Sequence, residues 1–447
     1  MMVLLPTAAA ATALLLMLRG AAAADDPAAD LKLVRQHVAD SANATFRPPS
    51  GTLKYSYLVP AGPYNEMWDW DSMFMGVALL DFGSLPYFSG TFMNFLDHTN
   101  VTDGEVQGCL VPGGGTGTIY HAKPILLQGA WLSAKHDKSG SVLKGFQQYK
   151  PQMKALLDYW ERSPRKHAST GLYLWHDQLQ TGADDLVTST CPSKYSKCWD
   201  ESLDAFTLAS VDLHVFLYRE HTAYARFCSA WAASATADAV AAAAAAALET
   251  EAAQHLAHAQ TILTTMEKYL WDETLGHYIA RNVSGAGSPI TNRVFLMALP
   301  LWGGVAPAAH ASKIAANVLG QDMLSEWGIR STASSDARYS NANIINPYSN
   351  WRGPVWINAN AMILYGLVAA RYNTGSGESD GLAARAAKVA ATVTHALAED
   401  LRINGTWHEC LSSATGRGLA APGFLSWDTL GATLLTDVQQ KQDPFAL

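Results

Sequence analysis

The stretch Asn350–Asn360, Asn-Trp-Arg-Gly-Pro-Val-Trp-Ile-Asn-Ala-Asn, runs directly into the apolar segment Ala361–Leu367. Gly353 and Pro354 predict a turn into a helix, because proline is tolerated at early helical positions where its missing N–H costs nothing. Aromatic rings cover the apolar faces of a sugar, while arginine and asparagine side chains bond hydroxyl or acidic groups. The stretch therefore predicts either one wall of a pocket for a polyhydroxylated ligand or a buried, tryptophan-rich helix start.

The composition is that of a globular protein. The chain has 447 residues, of which 49% are hydrophobic and 16% are charged, which indicates a large core and excludes a disordered chain. The formal net charge of −8 argues against nucleic acid or an anionic membrane as the main partner. The 14 tryptophans exceed ordinary usage, and such large apolar rings are expected in the core or in a pocket.

The first residues have the pattern of a secretory leader. The apolar run Val3–Met17 is too short to span a bilayer comfortably, and the small residues Ala21–Ala24 follow it. We expect a signal peptide over residues 1–24, one domain over residues 25–447, and a protein of the secretory pathway or extracellular space. Because no Lys or Arg precedes the run, an uncleaved anchor or a transit peptide for an organelle lumen stays open. Triplets for N-glycosylation fit the secretory route, at Asn43, Asn100, Asn282 and Asn404.

Five cysteines are spread along the chain, at Cys109, Cys191, Cys198, Cys228 and Cys410. Cys191 and Cys198 bracket a short polar loop and would close a local disulfide in an oxidising compartment. The odd number leaves at least one free thiol, and the pairing stays open. The spacing fits no usual zinc pattern, so we expect neither a metal nor a cofactor.

The pattern of elements favours an all-α fold. About a dozen helical segments alternate with short and long loops, and strand-like pieces are few. A simple bundle has fewer helices, and a solenoid should show a repeat of about 30–50 residues. We therefore predict an (α/α)6 toroid, or barrel, with the long active-site loops gathered at one end.

Three stretches combine carboxylates with tryptophan. In Trp68–Ser72, Trp-Asp-Trp-Asp-Ser, rings and acids alternate. Since successive residues of a helix point about 100° apart, only one Trp–Asp pair is expected to face a pocket. We assign Asp71 to the pocket and Asp69 to the first helical turn, where a negative charge is favourable.

The second stretch, Trp175–Leu186, places four acid/base groups within ten residues: His176, Asp177, Asp184 and Asp185. Gly182 lets the backbone turn sharply ahead of Asp184. A proton donor working near pH 5–7 needs its pKa raised by burial or by a neighbouring negative charge, and paired aspartates offer both. The alternatives are an acidic loop that caps the next segment or one that binds a calcium ion.

The third stretch surrounds Glu409, which lies among Trp407, His408 and Cys410. This weakly polar setting is an unusual place for a glutamate that is merely solvated. Two carboxylates far apart in sequence, without a nucleophilic Ser or Cys arrangement, point to acid/base cleavage of a glycoside. Inversion needs roughly 6.5–9.5 Å between the carboxyls and retention about 5–5.5 Å, a separation that the sequence leaves open.

Taken together, the motifs resemble glycoside hydrolase family 63, in the clan shared with the trehalases, and more narrowly its mannosylglycerate hydrolase-type members. Six motifs in the family's order carry the resemblance across the chain after the leader. They are Tyr-Leu-Val-Pro-Ala-Gly-Pro-Tyr (57–64), Trp-Asp-Trp-Asp-Ser (68–72), Lys-Pro-Ile-Leu-Leu-Gln (123–128), Thr-Gly-Ala-Asp-Asp (181–185), Trp-Arg-Gly-Pro-Val-Trp-Ile-Asn (351–358), and His-Glu (408–409) ahead of Thr-Gly-Arg-Gly (415–418).

The resemblance implies an (α/α)6 barrel as the catalytic domain and hydrolysis with inversion. It implies that Asp184 is the general acid and Glu409 the general base. The residues that it implies for the sugar pocket are Tyr64, Trp68, Trp70, Asp71 and Gln128. Our further candidates for substrate binding are Tyr348, Trp351, Arg352 and Trp356. Arg352 is expected to pair with either an acidic group of the substrate or Glu409.

One departure concerns the region after the acid, where the family usually has a Ser-Pro-Arg-like stretch. This chain has Leu-Val-Thr-Ser-Thr (186–190) and then the Cys191–Cys198 loop, so the aglycone stays open. We expect no counterpart of the large extra domains of oligosaccharide-trimming glucosidases, which favours a small substrate such as 2-O-α-mannosylglycerate or glucosylglycerate.

Three alternatives to this function remain. The chain would instead be an α-glucosidase or trehalase-type hydrolase of a neutral disaccharide, a non-catalytic sugar-binding protein, or an (α/α)6 lyase or epimerase of uronic acids. For the main hypothesis, the expected partner is a small-molecule glycoside, without nucleic acid or a stable membrane span. The oligomeric state stays open.

Overall fold

The computed structural model describes residues 26–114, 118, 120–188, 206–234, 239–284, 287–344, 349–369, 372 and 377–447. The expected leader, the Cys191–Cys198 loop with its expected disulfide, and Tyr348 lie outside these residues. Cys228 and Cys410 are buried thiols that form no disulfide.

Helices dominate the described ranges, as the sequence predicts. In chain order they are α1 (Pro27–Ser41), α2 (Asp69–Ala78), α3 (Leu85–His98), α4 (Leu126–His136), α5 (Ser141–Gln147), α6 (Lys150–Glu161), α7 (Val211–Ala233), α8 (Ala239–Leu270), α9 (Leu299–Trp302), α10 (Ala308–Val318), α11 (Ile357–Val368), α12 (Gly377–Asn404) and α13 (Leu434–Gln439).

Short strands form small antiparallel ribbons. They are β1 (Phe46–Arg47), β2 (Tyr57–Leu58), β3 (Met67–Trp68), β4 (Cys109–Leu110), β5 (Leu208–Ala209), β6 (Trp271–Asp272), β7 (His277–Tyr278), β8 (Ala280–Asn282), β9 (Ser288–Ile290), β10 (Leu324–Ser325), β11 (Gly328–Ile329), β12 (His408–Leu411) and β13 (Gly418–Pro422). The pairs are β1–β2, β3–β4, β6–β7, β10–β11 and β12–β13, and β5–β8–β9 is a three-stranded sheet.

Helix α4 shows why predicted boundaries shift. The sequence predicts a helix from Lys123, but α4 begins at Leu126. Lys123 precedes Pro124, and a residue before proline is pushed away from helical backbone angles. Lys123 is therefore left outside the helix.

Six helical segments pack one against the next in a closed cycle within the part of the chain described. The order is α2, α4, α7, α9, α11, the 3-10 helix Ser426–Ala432, and again α2. Several other helices pack against this cycle, among them α3 on α4, α8 on α7, and α12 on α11. The core lies along the cycle, and every residue of α11 is buried.

The contact between α9 and α11 depends on a glycine. A Cβ added at Gly366 would lie only 2.5 Å from the backbone nitrogen of Trp302. The absence of a side chain at this position lets the two helices approach closely.

Two ribbons carry residues of the site. Strand β3 pairs with β4, with Met67 opposite Leu110, and ends at Trp68. Strand β12 pairs with β13, and its register shifts between His408 and Cys410. Among the described residues, no helix has the length and apolar character that crossing a bilayer requires.

Candidate active site

A pocket with an empty volume of about 750 Å³ brings the predicted stretches together. Its lining residues are Pro60, Tyr64, Trp68, Asp69, Trp70, Asp71, Gly108, Thr118, Tyr120, His121, Lys123, Leu179, Gln180, Gly182, Asp184, Ser349, Trp351, Trp356, Glu409, Phe424 and Trp427. Aromatic rings make up a large part of its wall, as is common in pockets that bind small molecules.

Glu409 lies at the irregularity of β12, between His408 and Cys410. A bulge turns a side chain out of the regular alternation of a strand and is common beside active sites. The carboxyl is buried and accepts two hydrogen bonds, from the Tyr64 hydroxyl to Oε2 at 3.1 Å and from the Ser349 hydroxyl to Oε1 at 3.1 Å. The carboxyl is thus held in one orientation.

Asp184 follows a left-handed turn at Gly182, where φ is +80° and a Cβ would lie 2.7 Å from the Lys123 side chain. The turn directs Asp184 into the pocket, where Oδ2 accepts a hydrogen bond from the backbone N–H of Ser349 at 3.0 Å. Ser349 therefore contacts both candidate carboxyls, Asp184 through its N–H and Glu409 through its hydroxyl.

Burial controls the protonation of the pocket acids. Burial, opposed by the hydrogen bond from the Ser349 N–H and aided by the charge of Asp185, raises the pKa of Asp184 to about 7. Burial also raises the pKa of Glu409 to about 7, with added repulsion from Asp184 and Asp71. Glu409 receives two hydroxyl hydrogen bonds that stabilise its ionised form, so we expect it to lose its proton before Asp184 does.

The raised pKa of Asp184 predicts a pH-dependent gain in stability for Asp184→Asn. Between about pH 4 and pH 7 the folded protein holds a proton that the unfolded chain has released, so wild-type stability falls as pH rises through this window. Asparagine does not titrate, so the Asp184→Asn variant does not lose this stability as pH rises. Relative to wild type, the variant should therefore gain roughly 1–3 kcal/mol in unfolding free energy between pH 4 and pH 8.

Urea unfolding at the two pH values measures this difference. Glu409→Gln should change in the same direction, because burial raises the pKa of Glu409 as well. An unfolding free-energy difference between Asp184→Asn and wild type that is equal at pH 4 and pH 8 would contradict the expectation.

The Trp68–Ser72 motif supplies more to the pocket than its residue spacing predicts. Trp68, Asp69, Trp70 and Asp71 all line it. Trp68 belongs to β3, outside the helix, but Asp69, Trp70 and Asp71 are successive residues in the first turn of α2. The expectation from the 100° spacing that only one Trp–Asp pair faces the pocket is therefore wrong. The family resemblance implies that Trp68, Trp70 and Asp71 line the pocket, and the structure adds Asp69 to them.

The two acids of this motif differ in their partners. Asp69 is fully buried and accepts bonds from the Lys123 N–H at 2.8 Å and from Lys123 Nζ at 3.1 Å. Asp71 accepts a bond from the Ser426 hydroxyl at 2.6 Å, and burial raises its pKa to about 7. Asp69 is thus tied to a lysine, whereas Asp71 presents a third carboxyl to the pocket.

A cluster of aromatic rings forms the pocket wall. Trp351 and Trp356 stack with ring centroids 3.9 Å apart, and the ring of Trp70 lies 5.9 Å from that of Trp351. Trp427 lies 5.6 Å from Trp70 and 4.7 Å from Phe424. Trp351 and Trp356 are almost fully buried, so both expectations for the opening stretch hold: it is a buried helix start and a wall of the pocket.

The structure corrects the expectation for Arg352. Its Nε lies 2.8 Å from Asp185 Oδ2 in an ion pair, and Arg352 is not a lining residue. Arg352 therefore pairs not with Glu409 but with Asp185. The N–H of Trp351 donates to the same carboxyl.

The structure also corrects the expectation for Gln128, which lies outside the pocket. Within α4 its side chain is fully buried and faces α7, where its Oε1 accepts a bond from Arg219 Nε at 2.7 Å. Its Nε2 donates to the Pro124 carbonyl at 2.8 Å. In the 123–128 motif the residue that lines the pocket is Lys123. Its signal in the sequence is a lysine next to a proline in an otherwise apolar stretch.

Other residues escape prediction or have a different role. Ser349, which contacts both carboxyls, carries no signal in its spacing. Asp177 accepts a bond from Leu179 N at 2.9 Å and from the Tyr120 hydroxyl at 2.9 Å. Asp177 therefore caps the segment that follows it, which is one of the alternatives that the sequence leaves open for this acidic loop. Tyr348 lies outside the described residues, so its assignment stays a prediction.

Comparison with known proteins fits this geometry. A family profile described as the mannosylglycerate hydrolase MGH1-like glycoside hydrolase domain matches residues 64–427. The chain belongs to this family. The resemblance to the mannosylglycerate hydrolase-type members of glycoside hydrolase family 63 is thereby confirmed.

Relatives of this MGH1-like glycoside hydrolase include curated proteins of two kinds. A probable mannosyl-oligosaccharide glucosidase from Schizosaccharomyces pombe is 25% identical over 59% of this chain and 33% of its own length. A cytosolic neutral trehalase from Kluyveromyces lactis is 24% identical over 71% of this chain and 47% of its own length. The chain thus spans about a third to a half of these relatives.

Among solved structures, the fold is similar to that of a mannosylglycerate hydrolase from Thermus thermophilus in complex with Tris and D-glycerate. The TM-score is 0.63 at 19% identity, over 90% of this chain and 100% of that chain. At this identity the likeness shows a shared fold.

Proposed function

We propose that this MGH1-like protein is an α-glycosidase that hydrolyses a small glycoside with inversion. The observation that carries the proposal is the pair of buried carboxyls, Asp184 and Glu409, held on either side of Ser349 in one aromatic pocket. The closed cycle of helices supports an (α/α)6 barrel, with this pocket at one end. The expected leader and the glycosylation triplets of the sequence support a secretory location.

In the proposed reaction the two carboxyls divide the proton transfers. Asp184, whose pKa burial raises to about 7, gives its proton to the glycosidic oxygen of the leaving group. Glu409 takes a proton from a water molecule, which attacks the anomeric carbon from the opposite face. Tyr64 and Ser349 keep Glu409 ionised before the attack by donating to its two oxygens.

The pocket wall supplies recognition of the sugar. Stacked rings such as Trp351 and Trp356 form an apolar support, and Trp427 closes the wall beside them. The indole N–H of Trp68 is buried without a hydrogen-bond partner among the described residues. A sugar hydroxyl would satisfy this donor, as buried polar groups require.

Family membership supports 2-O-α-mannosylglycerate, or glucosylglycerate, as the substrate. A neutral disaccharide is the second candidate, and one observation favours it. Lys123, a basic residue of the described lining, is already bound to Asp69, and Arg352 is bound to Asp185. Three carboxyls at Asp71, Asp184 and Glu409 would repel an acidic aglycone placed next to them.

Side-by-side hydrolysis of mannosylglycerate, glucosylglycerate and trehalose tests the substrate. We expect one of the two glycerate compounds to have a kcat/KM at least about 10-fold above that of trehalose, a difference of about 1.4 kcal/mol. A preference for trehalose would replace the glycerate proposal with the neutral disaccharide. Hydrolysis of none of them, with retained sugar binding, would contradict the enzymatic proposal.

Proton NMR of the first product tests inversion. From an α-glycoside, the released sugar should appear first as the β-anomer and then mutarotate. Initial appearance of the α-anomer would show retention, and an unsaturated product absorbing in the ultraviolet would show a lyase.

A further inference from the structure

A second cluster of acid/base side chains lies away from the pocket, where three helices meet. Glu161 ends α6, His221 lies within α7, and His258 lies within α8. One ligand atom from each of the three falls within 4.8 Å of the others. None of them lines the pocket, so the proposed hydrolysis does not account for them.

Two of these ligand atoms already share a hydrogen bond. His258 Nε2 lies 2.9 Å from Glu161 Oε1, and the rings of His221 and His258 have centroids 4.4 Å apart. A metal ion would replace the proton between the imidazole and the carboxylate and release it to solvent. The geometry therefore needs only small side-chain movements to form a coordination site.

His221 provides an independent observation. Its side chain is 3% exposed, and its Nε2 has no hydrogen-bond partner among the described residues. A buried polar atom without a partner is uncommon and calls for a ligand, a water or an ion. The other ring nitrogen, Nδ1, lies 2.9 Å from Nδ1 of His255.

The contact with His255 can set the tautomer of His221. When His221 Nδ1 carries the proton and donates it to His255, Nε2 is left with a free lone pair. Metal-binding histidines use this arrangement, in which the second nitrogen donates to an outer partner and orients the ring. His255 is therefore the outer partner of the cluster.

The surroundings of Glu161 fit the same arrangement. Lys166 Nζ lies 2.6 Å from Glu161 Oε2, which leaves Oε1 on the side of the histidines. The hydroxyl of Tyr173 contacts Glu161 Oε1 and lies 3.0 Å from His258 Nε2. The hydroxyl, or a water that displaces it, is placed to complete a four-coordinate shell.

We propose that Glu161, His221 and His258 form a binding site for a zinc-like divalent cation that links α6, α7 and α8. Two imidazoles and one carboxylate are a zinc ligand set, whereas calcium and magnesium prefer oxygen ligands. An ion can enter, since the side chains of Glu161 and His258 are 32% and 30% exposed. The ligands are far apart in sequence, and this is why cysteine and histidine spacing predicts no metal.

Titration with Zn²⁺ by calorimetry, on chelator-treated protein without a histidine tag, tests the site. Wild type should bind one Zn²⁺ per chain, Co²⁺ should give the visible absorption of a four-coordinate site, and saturating Zn²⁺ should raise Tm by about 2 °C or more. No uptake of Zn²⁺ or Co²⁺ by the folded wild-type protein would overturn the proposal.

Variants assign the ligands. His258→Gln, at a partly exposed position, should weaken Zn²⁺ binding by more than the roughly 10–100-fold expected for loss of the outer partner in His255→Asn. His310→Gln is the matched control, because His310 lies beside Glu267 outside the cluster, and it should leave binding unchanged. Equal affinity of wild type and His258→Gln, or loss of binding in His310→Gln, would contradict the assignment.

Discussion

Asp184→Asn and Glu409→Gln should each lower kcat by roughly 10³-fold or more on the substrate that the assays select. Asparagine at 184 has no proton to give to the leaving oxygen, and glutamine at 409 cannot accept one from water. Both amides keep an oxygen that can accept the bonds from Ser349, so binding and fold should be retained. Steady-state kinetics measure the loss of kcat, and circular dichroism and thermal unfolding show whether the fold is retained.

A matched control lies in the same loop. Asp177→Asn changes a carboxyl to an amide seven residues before Asp184, at a group that bonds the Tyr120 hydroxyl and does not line the pocket. Its kcat should stay within about 10-fold of wild type, since proton transfer does not involve it. Near-wild-type turnover in Asp184→Asn or Glu409→Gln would remove the acid and base assignments, while the metal proposal would be unaffected.

Much of this site can be predicted from the sequence, because a carboxylate in a tryptophan-rich loop indicates a functional residue before the fold is known. The neighbours of Glu409 predict this residue, whereas Trp175–Leu186 offers four acid/base groups, among which only the family resemblance implies Asp184. The structure places Asp184 and Glu409 in one pocket. Their separation and protonation cannot be predicted in this way, because both depend on long-range packing. Ser349 shows this most clearly, since its contacts join residues 165 and 60 positions away.

Errors arise where the register of an element decides which way a side chain points. The motif of Gln128 assigns it to the pocket, but α4 begins at Leu126 and turns Gln128 towards α7. Asp69 lies in the first turn of α2, as the sequence predicts, but this turn also borders the pocket, so Asp69 lines it as well. Helix ends are the least certain feature of a sequence pattern, and site residues near them inherit that uncertainty.

The Asp185–Arg352 pair gives the second large expectation, this time in stability. Two adjacent carboxyls connect the 181–185 loop to the opening stretch: Asp184 accepts from Ser349 N, and Asp185 binds Arg352 and Trp351 N. The Asp185 side chain is 7% exposed and that of Arg352 is 25% exposed. Burial raises the pKa of Asp185, and the N–H of Trp351 and the charge of Arg352 oppose this rise.

Arg352→Met should therefore destabilise the protein by roughly 3–5 kcal/mol, because it leaves a buried carboxylate without its cation. Urea unfolding measures the loss. Lys154→Met is the matched control for an exposed ion pair: Lys154 lies 2.8 Å from Asp158 at the surface, and its loss should cost only about 0.3–0.5 kcal/mol.

A double-mutant cycle separates the charge from the packing of the arginine. Asp185→Asn keeps an oxygen for the Trp351 N–H and removes the charge that needs Arg352. In the Asp185→Asn/Arg352→Met protein we expect at least about 2 kcal/mol less destabilisation than the sum of the single variants. Additive losses would show that Arg352 stabilises the fold through its packing alone, and an unchanged stability of Arg352→Met would show that this pair does not hold the two segments together.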